Sequence, residues 1–154
     1  QMTWVGCPTV YYGDEAGLCG FTDPDNRRTY PWGREDQDLL AFHREMIRIR
    51  KEHPVLRYGS TRFLTMEEQF ISYGRFDGRE TLLVLMNNAQ EERKVEIPVW
   101  MAEVPEEAEL ECLMGTSETG YSTKNDRYPV RNGILSLTVP GVCGMVLHTC
   151  SCIG

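Results

Sequence analysis

From residue 56 onward, apolar and polar residues alternate with the period of two that marks a half-buried strand. The alternation is plain over residues 93–99, where Val95, Ile97 and Val99 fall on one side and Lys94, Glu96 and Pro98 on the other. Residues 61–65, 70–76, 110–114, 134–139 and 142–149 read as further strands, with a short one near 128–130 inside a long polar loop. Asp77-Gly78, between 70–76 and 81–86, is a hairpin turn signal. The run TLLVLM at 81–86 is apolar throughout, as in a central strand buried on both faces. Asn87-Asn88 ends it, and Pro140-Gly141 joins the last two strands. Roughly seven or eight short strands in about a hundred residues predict a mainly β fold, an antiparallel Greek-key β-sandwich.

The first 55 residues follow another grammar. Residues 36–52 predict a helix with Asp36 as its N-cap. Leu39, Leu40, His43, Met46, Ile47 and Arg50 fall on one stripe, and Phe42 and Ile49 broaden it. Arg48, Arg50 and Lys51 suit the negative end of the helix, and His53-Pro54 stops it. Ahead of it, VGCPTVYY at 5–12 reads as a short buried strand, and 13–35 as an irregular loop. Strand, loop and helix together form one βα unit, and barrel enzymes place their chemistry on such a loop. The chain thus divides into residues 1–55 and a self-contained sandwich, 56–154. A single parallel strand with its helix cannot bury itself and needs neighbours on both sides. The chain opens on Gln1 rather than a methionine, and it reads as part of something longer.

Composition narrows the function classes. In 154 residues, 41% hydrophobic and 25% charged content is ordinary for a globular protein. No run approaches the roughly 20 apolar residues of a membrane span. A net charge of −7 argues against nucleic acid and anionic membrane surfaces, and it is compatible with neutral ligands such as sugars. The six cysteines are irregularly spaced and no secretion signal is visible. Cys150 and Cys152 have one residue between them, too few for a zinc knuckle. The expectation is free thiols, no metal, no cofactor and a cytoplasmic location.

Three groups could carry chemistry. Asp14 and Glu15 follow the first strand directly, but a glycosidase needs two carboxyl groups about 5–5.5 Å apart for retention or 6.5–9.5 Å for inversion, across the bond that breaks. Adjacent residues seldom face one another in that way, so structural hydrogen bonding is the preferred reading. In DPDNRR at 23–28, a carboxylate that accepts and a guanidinium that donates could grip neighbouring sugar hydroxyls. The residues by themselves fit an Asx-turn with solvated arginines better. Tyr30 and Trp32 could stack on a sugar ring or anchor the loop. His43, His53 and His148 are isolated in sequence, His43 on the apolar stripe as a satisfied core histidine, and no HExxH, P-loop, GxSxG or GxGxxG pattern occurs.

The segment GCPTVYYGDEAG at 6–17 resembles the eighth-strand region of glycoside hydrolase family 13, the α-amylase family, with its pattern G-x-P-x-x-Y-Y-G-x-E-x-G. DPDNRRTYPW resembles the neopullulanase, cyclomaltodextrinase and maltogenic-amylase branch. DQDLLAFHREMIRIRKEHPVLRYGS is similar to the last barrel helix and the entry to the C-terminal domain. Residues 6–60 match specifically, and 61–154 match in strand pattern. The resemblance implies a (β/α)₈ barrel followed by the sandwich, in a retaining hydrolase of α-1,4/α-1,6-glucans or maltooligosaccharides. It implies that Asp23 and Arg27 bind a glucosyl unit on the donor side of the cleft, reversing the preference for a turn at those two positions. The catalytic carboxylates belong to earlier barrel strands, so this chain is expected to hold no catalytic residue and to be inactive alone. Two other readings remain open. One is a non-catalytic carbohydrate-binding sandwich, although Phe70 and Tyr73 have opposite parity. The other is a structural module, with homo-oligomerisation through the orphaned first segment.

Overall fold

The computed structural model describes residues 1–149, so the Cys150 and Cys152 expectation lies outside the described residues. The chain divides into two compact units, Gln1–His53 and Pro54–Gly154.

The second unit opens with one helical turn, α2 (Val55–Tyr58), after the longer α1 (Gln37–Glu52) of the first unit. Among the described residues nine antiparallel strands follow: β1 (Ser60–Glu67), β2 (Phe70–Phe76), β3 (Thr81–Asn87), β4 (Arg93–Pro98), β5 (Ala108–Ser117), β6 (Gly120–Ser122), β7 (Arg127–Arg131), β8 (Ile134–Val139) and β9 (Cys143–Thr149). Their hydrogen-bonded order is β1-β2-β3-β9-β5-β7-β8-β4, with β6 paired to β5 alone. The sheet folds over one core that joins Phe70 of β2, Leu83 and Leu85 of β3, Ile97 of β4, Leu110 of β5, Val130 of β7, Leu135 of β8 and Leu147 of β9. This is the predicted antiparallel sandwich.

Particular residues explain the register. Asp77 Oδ1 accepts from the N–H groups of Arg79 and Glu80, and Gly78 takes φ +79°, so the predicted turn closes the β2–β3 hairpin. β3 lies between β2 and β9. Leu83 and Leu85 face the core, and Leu82 and Val84 are buried on the other side, as a central strand requires. β8 and β9 are consecutive but unpaired with each other: β8 bonds to β4 and β7, and β9 to β3 and β5. Pro140-Gly141 therefore carries the chain across the fold rather than around a hairpin. The Asn87 side-chain amide donates to the carbonyls of Glu91 (3.0 Å), Val139 (3.3 Å) and Pro140 (2.9 Å), tying that crossing to the end of β3.

Arg75 does similar work at the entry. A single helical turn leaves its last carbonyls without partners. The buried guanidinium donates to Leu56 O (3.0 Å), Val55 O (3.2 Å), Gly59 O (3.1 Å) and Ser60 O (3.3 Å).

In the first unit, α1 forms as predicted. Asp36 Oδ1 accepts from Asp38 N (3.1 Å) and Leu39 N (2.9 Å), the N-cap geometry. Of the apolar stripe, Ile49 and Arg50 are buried while Leu39, Leu40, Met46 and Ile47 are half-buried. The strand predicted over 5–12 is not formed: the segment is irregular. A strand needs a neighbour to satisfy its peptide groups, and among the described residues this one has none. Its backbone turns instead, with Trp4 N donating to Gln1 O and Asp14 N to Tyr11 O.

Candidate functional site

The loop that carries the sequence candidates is built from two short 3₁₀ turns, Asp14–Ala16 and Asp25–Arg27. Gly13 (φ +97°) and Gly17 (φ +73°) bracket the first in left-handed conformations that favour glycine. Asp14 is committed to this turn: its Oδ2 accepts from Tyr11 N at 3.2 Å. Ala16 is buried and its carbonyl accepts from Asp36 N (3.1 Å), which fastens the loop to the start of α1. Glu15 points inward, and its Oε2 is buried without a hydrogen-bond partner among the described residues. Burial, together with the charges of Glu15 and Glu35, holds the Tyr30 hydroxyl above its ordinary range. Tyr30 packs on Trp32 with ring centroids 4.6 Å apart, leaving Trp32 81% exposed.

At the second turn the chain closes tightly on itself. A Cβ added to Gly20 would come within 2.5 Å of Asn26 Cα, so only glycine admits this approach. The closure presents two ion pairs to solvent. Arg27 Nη2 donates to Asp23 Oδ2 at 3.1 Å, both side chains 62% exposed. Arg28 Nε and Nη2 both donate to Asp25 Oδ1, and this hydrogen bonding holds the Asp25 carboxyl below its usual range. Exposed pairs contribute about 0–1 kcal/mol to stability. The Asp23–Arg27 pair is therefore not what holds the loop together, and its donors and acceptors are accessible to a ligand. A groove of about 620 Å³ beside the loop is lined by Arg28 and Arg34, with Leu18, Cys19 and Pro31.

The structure brings Asp23 and Arg27 together and does not set Asp14 and Glu15 opposite one another as a catalytic pair. His43 Nδ1 lies 3.0 Å from Leu39 O, one helical turn away, and is a satisfied, half-buried histidine. Cys7, Cys19, Cys112 and Cys143 carry free thiols. No helix of the described residues is long and apolar enough to cross a membrane.

Sequence reasoning missed the role of Arg50. Its buried guanidinium donates to Met2 O (2.6 Å), Trp4 O (3.2 Å) and Gly6 O (2.6 Å), and so anchors the segment that leads into the loop. The signal was present: an arginine on the apolar stripe of α1 must find acceptors when that stripe packs.

No family model matches the chain. Over 154 aligned residues, 96% of this chain, it is 34% identical to neopullulanase 2 of Thermoactinomyces vulgaris and spans 24% of that protein. It is 46% identical to a cyclomaltodextrinase of a Bacillus species over 92 residues, 57% of this chain and 16% of that protein. Among solved structures, the debranching enzyme of Nostoc punctiforme matches with TM-score 0.76 and 32% identity, covering 95% of this chain and 28% of that one. The chain spans about a quarter or less of these curated relatives.

Proposed function

Because this chain is related over 96% of its length to a neopullulanase of the α-amylase family, glycoside hydrolase family 13, we propose that it is the carboxyl-terminal portion of a retaining α-glucan hydrolase. In this reading Gln1–His53 is the last strand-loop-helix unit of the catalytic barrel, and Pro54–Gly154 is the sandwich domain that follows it. Asp23 accepts from, and Arg27 donates to, hydroxyls of a glucosyl unit in the cleft. Catalysis is left to carboxylates of earlier barrel strands. A barrel needs about 250 residues, and retention needs two carboxyl groups about 5–5.5 Å apart. Asp14 is already engaged by the Tyr11 N–H. The chain alone is then inactive, and the parent enzyme works in the cytoplasm on maltooligosaccharides.

One observation carries this reading: the similarity runs through both units as one piece. The experiment is to express the chain alone and extended by its upstream coding sequence, and to measure reducing ends released from starch, pullulan and cyclodextrin. The extended protein should hydrolyse at least one of them and the chain alone none. Turnover by the chain alone that disappears in Asp14→Asn or Glu15→Gln would overturn the reading.

A second reading, self-association of the first segment, is favoured by its exposed Trp4, Val10, Tyr11, Tyr12 and Trp32. Sedimentation at several concentrations distinguishes a monomer from an oligomer.

A further inference from the structure

The second unit holds a groove that the loop chemistry does not use. Its volume is about 350 Å³, and it lies where the β5–β6 hairpin and the segment after it meet β9. The floor is apolar and includes the buried Cys112 and Cys143. Burial pushes the Cys112 thiol up to about 11, so at neutral pH the floor is uncharged. Two tyrosines line the walls: Tyr128, half-buried against the core, and Tyr121, 37% exposed on β6.

The hairpin is held in place rather than free. Tyr121 sits opposite Thr116 in the β5–β6 register, and Thr116 Oγ1 accepts from Gly144 N of β9 at 2.7 Å. The following segment is fixed by its backbone. Asp126 O accepts from Cys112 N at 2.8 Å, and Asp126 N donates to Lys124 O at 2.9 Å.

The side chains of Lys124 and Asp126 are not fixed in this way. The neighbouring acids Glu107 and Glu109 are paired with Arg131 and Arg127. The Lys124 ammonium and the Asp126 carboxylate have no hydrogen-bond or ion-pair partner among the described residues, yet both line the groove. The Asp126 charge is near enough to help hold Tyr128 above its ordinary range, after burial and the influence of Cys112.

One ammonium and one carboxylate sum to no net charge, which selects a neutral ligand. Tyrosine rings offer an apolar face with a polar tip, and the free acceptor and donor match groups that both donate and accept. A pyranose has both properties, with an apolar C–H face and a rim of hydroxyls. The volume falls at the lower end of the range for small-molecule sites.

We propose that this groove is a non-catalytic saccharide site taking one or two glucosyl units of an α-glucan and sharing no residue with the Asp23–Arg27 pair. The saccharide class follows from the groove; the α-glucan rests on the proposed function. Tyr121 stacks on the sugar, Asp126 accepts from its hydroxyls, and Lys124 donates to them.

The test is affinity electrophoresis of the whole chain in gels containing soluble starch or a soluble β-glucan, with far-UV circular dichroism as the folding check. Starch should retard the native chain and an Asp23→Ala/Arg27→Ala double variant equally. Tyr121→Ala and Asp126→Asn should each weaken retardation about tenfold while keeping the native spectrum. No retardation by either polysaccharide would overturn the proposal, as would retardation unchanged in Tyr121→Ala. Retardation by the β-glucan in place of starch, with the same variant dependence, would uphold the groove as a saccharide site and overturn the α-glucan reading beneath it.

Discussion

Arg75→Met is the substitution by which the fold argument is most exposed to refutation. Arg75 is 1% exposed and bonds four carbonyls of the chain entering the sandwich. Two effects oppose one another when it is replaced. Removing a buried charge recovers a desolvation penalty, and a well-packed apolar substitute can be neutral. Val55 O keeps the Gly59 N–H at 2.8 Å, but the buried Leu56 O loses its donor. Each buried group left unsatisfied costs about 1–3 kcal/mol. The Gly59 and Ser60 carbonyls are part-buried and can turn to water. Counting the one buried carbonyl gives a loss of about 1–3 kcal/mol, a sizeable share of the roughly 5–15 kcal/mol that stabilises a domain. Urea unfolding followed by far-UV circular dichroism reads this as a lower midpoint at unchanged slope. Arg75→Lys should recover part of the loss, since an ammonium has three donors and no planar fork. A loss below about 1 kcal/mol in Arg75→Met would show that the carbonyls are otherwise satisfied and that the account of this entry is wrong.

Four further outcomes are expected. Leu83→Ala should cost about 2–5 kcal/mol in the same assay, because Leu83 is fully buried in the central strand. Gly74→Ala should also destabilise, by about 1–3 kcal/mol, since the new Cβ would lie 2.4 Å from Ala102 Cβ; a second change, Ala102→Gly, should restore most of it. In native protein at pH 8, a thiol reagent should modify exposed Cys7 and Cys19 quickly and reach Cys112 and Cys143 only on unfolding. Because burial raises the Cys112 thiol to about 11 and raises Cys143 as well, their contribution is complete below the ordinary thiol range. It is lost as pH rises from there toward about 11, which a pH series of midpoints will show.

The sandwich was legible because its signals are local and agree with one another. Alternation at 93–99, the Asp77-Gly78 turn and the unbroken apolar run at 81–86 each point to the same strands, and β2 and β8 begin and end where the sequence places them. Strand β6 was not legible: three exposed residues carry no pattern, and only their pairing with β5 defines them. The strand over 5–12 shows the opposite failure. Its residues favour a strand, but a strand is a property of two segments, and no described residue pairs with this one. At the candidate site, residue identity was legible and geometry was not. Nothing in DPDNRR announces the close approach of Gly20 to Asn26 that turns Asp23 and Arg27 outward.

That outward geometry bears on what the chain can bind by itself. The loop is fixed by contacts within residues 11–36, through Asp14 to Tyr11 and Asp36 to Ala16, so the Asp23–Arg27 pair takes its shape from its own segment. The pairing spends one Arg27 Nη2–H donor on Asp23, and the remaining donors and acceptors of both side chains are left to water. A sugar meeting the pair replaces water on those groups, and exchange of one polar partner for another yields little net free energy. Affinity in such a site comes from burying the ligand on most of its surface, and one loop covers one side. Maltose titrated into the chain should therefore leave the resonances of Asp23 and Arg27 unmoved at concentrations where it shifts those of Tyr121 and Asp126. A shift at the loop that saturates first would show that the Asp23–Arg27 pair binds sugar with its own geometry alone, and the requirement for a cleft would have to be withdrawn.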